Sequence, residues 1–129
     1  IQSPFSQPRN LVGGHLISAL IGVTVHKLVP DIIWIAAPLA VSLSIVLMQI
    51  TKTLHPPGGA TALIAIIGSD KIKALGYLYV LSPVFIGVLI LLLTALIFNN
   101  MTSNRSYPSH PKYHLIRKKL VHKIKKNVF

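Results

Sequence analysis

Two histidines, each beside a glycine pair, are the residues of this chain whose type and spacing best suit chemistry. His55 opens the run His-Pro-Pro-Gly-Gly-Ala-Thr at residues 55–61, and His15 directly follows Gly13 and Gly14. An imidazole gains or loses a proton near neutral pH, so His55 could couple a proton to the movement of a ligand or simply donate a hydrogen bond. After Pro56 and Pro57, the stretch Gly58-Gly59-Ala60-Thr61 reads as the opening of a short helix. Unpaired N–H groups and the positive end of the dipole at such a terminus suit a small anion, and the Thr61 hydroxyl adds a donor. Arg9 and Asn10 precede Gly13-Gly14 much as Lys52 precedes Gly58-Gly59, and the two cations could form an anion-attracting entrance. Each feature also has a plainer reading. Glycine pairs permit tight helix packing, a histidine at a helix end caps a carbonyl, one within a helix bonds its neighbour, and Arg9 or Lys52 alone is an ordinary flanking anchor.

Catalysis has little to work with. The two carboxylates, Asp31 and Asp70, lie in expected connections beside Lys27, Lys71 and Lys73, and there is no cysteine. No Ser/His/Asp spacing or HExxH pattern is present, so an enzyme is not expected and no catalytic residue is assigned. His15 and His55 without a supporting carboxylate are a poor ligand set, so neither a metal nor another cofactor is expected.

The elements that must position these residues are apolar. The 129 residues are 52% hydrophobic and only 12% charged, with a mean hydropathy of +0.65, which disfavours a soluble domain. Residues 32–50 and 77–98 carry no charge and match the roughly 20 residues that cross a hydrocarbon core as a helix. Residues 11–29 form a third expected span, interrupted by His15, His26 and Lys27. Its Gly13, Gly14, Ser18, Ala19 and Gly22 should face protein rather than lipid. Residues 60–67 are an apolar run of eight, about 12 Å of helix and too short to span. A half-helix at about 57–68 is therefore expected, broken at Pro56-Pro57-Gly58-Gly59 and buried in the bundle as a re-entrant element. An interfacial loop opening a helix is the alternative. QPRNLVGGHLISALIG and HPPGGATALIAIIG share a proline, a glycine pair and an apolar run ending in glycine, a degenerate repeat whose two copies could meet at a site.

The fold class is thus all-α, a polytopic transmembrane helix bundle. Residues 1–108 form the membrane domain and 109–129 a basic tail. Of the net charge of +11, eight cations lie after residue 98 with no acid among them. Residues 112–129 place Tyr113, Ile116, Leu120, Ile124 and Val128 three or four apart among lysines and arginines, the pattern of a C-terminal amphipathic helix on anionic lipid headgroups. No groove-reading motif or aromatic platform accompanies the charge, so no nucleic acid is expected. Cations after the last span put the C-terminus in the cytoplasm or its organellar equivalent. Three crossings and a re-entrant element would then put residue 1 outside.

SPFSQPRNLVGGH at residues 3–15 and TKTLHPPGGATAL at residues 51–63 resemble the HPP family of integral membrane proteins, named for the triplet that stands here at His55, Pro56 and Pro57. The similarity runs from Ser3 to about Pro108, including Asn99-Asn100 and Tyr107-Pro108, and the basic tail departs from it. Members are described with four transmembrane helices, which implies an upstream helix not contained in residues 1–129. Some plastid and cyanobacterial members resemble or act as nitrite transporters. The resemblance therefore implies a small inorganic anion, nitrite first, as ligand, and a cell inner membrane or an organelle membrane is the expected location. Three or four helices enclose little volume, so a homo-oligomer is expected. A non-transporting membrane protein, whose polar motifs lock helices and whose tail recruits a partner, is the alternative.

Overall fold

The computed structural model describes residues 3–29, 32–101 and 105–109. Asp31 and the expected amphipathic helix at 112–129 lie outside the described residues.

A 3-10 turn at Pro4–Ser6 leads into helix α1, Pro8–Leu28. Pro8 stands at the first helical position, where its missing N–H costs nothing and its fixed φ already fits a helix. Gly14, Ser18, Ala19 and Gly22 are buried, so the small-residue face is packed on protein as the sequence predicts. Helix α2, Ile33–Ile50, runs back beside α1. Its inward positions Ala36, Ala40, Ser44 and Met48 recur every fourth residue, while Trp34 on the outer side is 87% exposed. An outer surface of that kind suits hydrocarbon.

A tight corner at 51–55 follows. The Thr51 hydroxyl lies 2.7 Å from the Thr53 hydroxyl, Thr53 N–H donates to the Met48 carbonyl at 2.9 Å, and Lys52 adopts a left-handed φ of 55°. This corner folds inward, and α3, Pro56–Ile67, starts beside Gly14 rather than at the end of the bundle. Pro56 occupies its first position, as Pro8 does in α1. At 12 residues α3 is about 18 Å long and lies one residue earlier than the expected 57–68, with Gly58 and Gly59 inside the helix.

Helices α1 and α3 run parallel. Gly14 and Ser18 meet Gly58, and further along Gly22 meets Ala62 and Ala65. Val25, Ala36, Ala40, Ala62 and Ile66 close one apolar core. After α3 comes the short α4, Asp70–Ala74, then a turn at Gly76 with φ of 51°. Tyr77 here reaches the far end of α1, with its hydroxyl 3.2 Å from that of Thr24 and Lys27 Nζ 5.7 Å from its ring centre. The chain then returns through a π-helical segment, Val80–Phe85, and α5, Ile86–Met101. Ser82, before Pro83, leaves helical geometry (φ −138°, ψ 122°), so this span is kinked near its start. Its inward Val80, Val84 and Val88 pack with Ala19, Val23, Ala65 and Tyr79 in a second core.

Three helical stretches are long and apolar enough to cross a membrane: Pro8–Leu28, Ile33–Ile50 and Val80–Met101, the last starting and ending three residues later than 77–98. The short apolar helix α3 begins beside Gly14 and passes the chain to α4 and Tyr77 at the opposite end of the bundle. Three long helices and the shorter α3 thus link the two ends of the bundle, and residues 3–10 and 105–109 share one end. Tyr107 hydroxyl donates to the Ser6 carbonyl at 2.8 Å, and Ser109 N–H donates to Gln7 Oε1 at 3.0 Å. Residue 1 and the residues after 109, on which the expected orientation of the two termini rests, lie outside the described residues.

Candidate functional site

The two repeat-like stretches meet at their glycine pairs. A Cβ placed on Gly14 would lie 2.5 Å from His55 Cβ, and one on Gly58 would lie 2.9 Å from the Gly14 carbonyl oxygen and 3.0 Å from Ser18 Oγ. Gly13 is similarly close to Thr53, with 2.7 Å to its methyl carbon. These glycines allow the corner and α3 to approach α1 at backbone distance. Gly59 differs, its nearest neighbour being Val41 Cγ1 at 3.6 Å.

That approach brings His15 and His55 together, with ring centroids 5.0 Å apart and planes inclined at 56°. His15 Nδ1 lies 2.7 Å from the hydroxyl of buried Thr61, across 46 residues of sequence. The Thr61 carbonyl accepts a 3.0 Å hydrogen bond from the buried Tyr79 hydroxyl. His55 Nδ1 is 2.8 Å from the Phe5 carbonyl oxygen. Neither Nε2 forms a hydrogen bond among the described residues, and no buried side-chain nitrogen or oxygen there lacks a partner. Both Nε2 atoms are therefore accessible rather than sealed in protein.

The expected anion cradle at the start of α3 is not formed by its first turn. Pro56 and Pro57 have no N–H, and Gly58 N–H donates to the His55 carbonyl at 2.8 Å. Two adjacent prolines remove the donors such a site needs. Gly58 thus serves packing, and the polar groups that converge are side chains.

Arg9 and Asn10 hold the corner in place. Arg9 donates to the Thr51 carbonyl at 3.2 Å and Asn10 to the Leu54 carbonyl at 2.8 Å. Arg9 and Lys52 are exposed at the same end of the bundle as the histidines, whereas Asp70 is at the other. Phe5, Ser18, Tyr79 and Tyr107 were not assigned from sequence. Ser18 donates to Met48 Sδ at 3.7 Å behind the glycines. Tyr79 had one available signal, since a phenol in an apolar run must find an acceptor. Burial pushes the Tyr107 phenol above its usual pKa, so it remains a donor to Ser6. Asn100 brackets the same tyrosine, donating to its carbonyl at 2.7 Å and accepting from its N–H at 3.2 Å. No group of three or more metal-ligating side chains occurs among the described residues.

The comparisons with known proteins agree with this architecture. The profile of the HPP transmembrane region matches residues 1–108. Two proteins of Dictyostelium discoideum, both described as transmembrane proteins, are similar to the chain. One is 47% identical over 110 residues, covering 83% of this chain and 38% of the relative. The other is 46% identical over 113 residues, covering 83% and 35%. The chain thus spans little more than a third of the length of these curated relatives. No solved structure matches it. The apolar passes, the glycine-mediated contact and the matched region lead to one assignment: the chain is an integral membrane protein and belongs to the HPP transmembrane family.

Proposed function

We propose that the chain forms part of a pathway for a small inorganic anion, with nitrite the first candidate, and that the anion is held beside His15, His55 and Thr61. One observation carries the reading. Two imidazoles stand 5.0 Å apart in an apolar bundle, each anchored through Nδ1 and accessible at Nε2. Protonated imidazoles donate hydrogen bonds and carry positive charge, and no described carboxylate lies at their end of the bundle to neutralise them. Arg9 and Lys52 add positive charge at the same end. Hydrogen-bonded imidazoles bind an anion less tightly than a buried arginine would, which suits passage over storage.

The same reading includes a homo-oligomer, because these helices enclose little volume. It also includes contact of the basic tail with anionic headgroups and a cytoplasmic or equivalent location for that tail. The inner membrane of a cell or an organelle membrane is the proposed location. Uptake of nitrite into liposomes containing the purified chain, compared with protein-free liposomes, tests the central claim. Uptake should exceed the control and fall at least tenfold in His15→Ala.

A second reading is a non-transporting protein in which the motifs lock helices. The engaged Gly58 N–H and the two histidine Nδ1 contacts favour it. It predicts no uptake above the control and lower thermal stability for His15→Ala.

A further inference from the structure

A carbonyl oxygen only accepts hydrogen bonds, so the 2.8 Å contact from His55 Nδ1 to the Phe5 carbonyl places a proton on Nδ1. In the neutral ring Nε2 then carries a lone pair and no hydrogen. That atom has no hydrogen-bond partner among the described residues and is not sealed in protein. Towards an anion, a lone pair is repulsive, whereas the N–H of an imidazolium is attractive. The Phe5 carbonyl therefore makes His55 a group that accepts an anion only after accepting a proton.

The surrounding charges reinforce this dependence. From α1 come His15, whose ring is 5.0 Å away, and Arg9, which is bonded to the Thr51 carbonyl. The corner after α2 contributes Lys52, α3 contributes the neutral Thr61, and the 105–109 segment contributes Arg105 and Tyr107 at the same end. None of these groups is a carboxylate, and Asp70 is at the opposite end. A proton arriving alone on His55 adds to positive charge, and an anion arriving alone meets a lone pair. Each favours the other, and such coupling is reciprocal.

We propose that binding of an anion here takes up one proton on His55 Nε2, so that proton and anion occupy the site together, with the Phe5 carbonyl as the positioning group. The proton comes from water and is released with the anion, and no covalent bond is made. This inference rests on the anion reading above.

The test uses the purified full chain in liposomes with a trapped pH indicator and potassium with valinomycin to clamp the potential. Nitrate is the probe beside nitrite, because its conjugate acid is too strong to carry protons across lipid unaided. Uptake should be accompanied by lumenal acidification of one proton per anion. It should slow as the pH is raised. His55→Gln, which has a donor but no titration, should show slower uptake that is flat with pH and moves no protons. Wild-type uptake without pH dependence or acidification overturns the coupling and leaves the anion reading standing. Absence of uptake for both anions overturns both. Acidification that persists in His55→Gln overturns the assignment to His55, and the wild-type measurements remain decisive if that variant does not fold.

Discussion

At the scale of single residues, the glycines of the two motifs are not equivalent. Gly14 and Gly58 stand where a methyl group would strike a neighbouring backbone or Cβ, whereas Gly59 has room for one. Gly14→Ala and Gly58→Ala should each cost about 1–3 kcal/mol through overpacking. Gly59→Ala should be neutral or stabilising by about 0.5–1 kcal/mol, because alanine loses less backbone freedom in a helix. Denaturation in mixed detergent micelles measures all three, and a Gly14→Ala protein as stable as wild type would contradict the backbone contact. Thr61→Val removes the hydroxyl facing His15 at nearly constant volume and should lower stability by about 1 kcal/mol. Sequence could nominate both glycine pairs but not rank their members, since the ranking depends on what lies opposite each Cα.

At the scale of elements, α3 shows what a pattern can and cannot convey. Two prolines followed by two glycines mark the start of a short helix, and Pro56 does occupy its first position. Whether the element crosses or returns is invisible to charge counting, because Arg9 and Lys52 on one side are matched by Lys71 and Lys73 on the other. The packing fixes the direction of α3 alongside α1, through Gly14 against Gly58 at one level and Gly22 against Ala65 further on. The chain contains no cysteine, so single cysteines report topology without background. In sealed vesicles an impermeant maleimide should label Lys52→Cys and Ser109→Cys from one side and Lys71→Cys only from the other. Labelling of all three from one side would support the re-entrant route.

At the scale of the whole molecule, the helix bundle brings the first and last described segments together, joined by Tyr107 to Ser6 and by Ser109 to Gln7. The Ser6 turn also presents the Phe5 carbonyl to His55, so the C-terminal segment braces the candidate site from outside the bundle. Tyr107→Phe should lower stability by about 1 kcal/mol through loss of one partly buried hydrogen bond. It should also weaken nitrite uptake severalfold if the turn positions His55. Full uptake with unchanged thermal stability would show that the brace is dispensable. Among described residues the two ends differ little in charge, so the proposed orientation is argued from the charge of the tail. Replacing its seven lysines and arginines between 112 and 126 with glutamine should reduce the bias of a C-terminal reporter towards the cytoplasmic side.

By itself the sequence determined the solvent of each segment: uncharged stretches near 20 residues long require hydrocarbon, and small residues a helical turn apart require a close protein neighbour. Those are local properties, legible because composition and period act over a few turns. It also nominated His15, His55, Gly58, Gly59, Thr61, Arg9 and Asn10 as candidates for a site. Only the tertiary structure decided that α3 runs beside α1 towards Tyr77, that His15 meets Thr61, and that the Phe5 carbonyl faces His55 Nδ1. The His15–Thr61, His55–Phe5 and Tyr107–Ser6 contacts join residues about 40 to 100 positions apart, whose distances follow from how the helices pack.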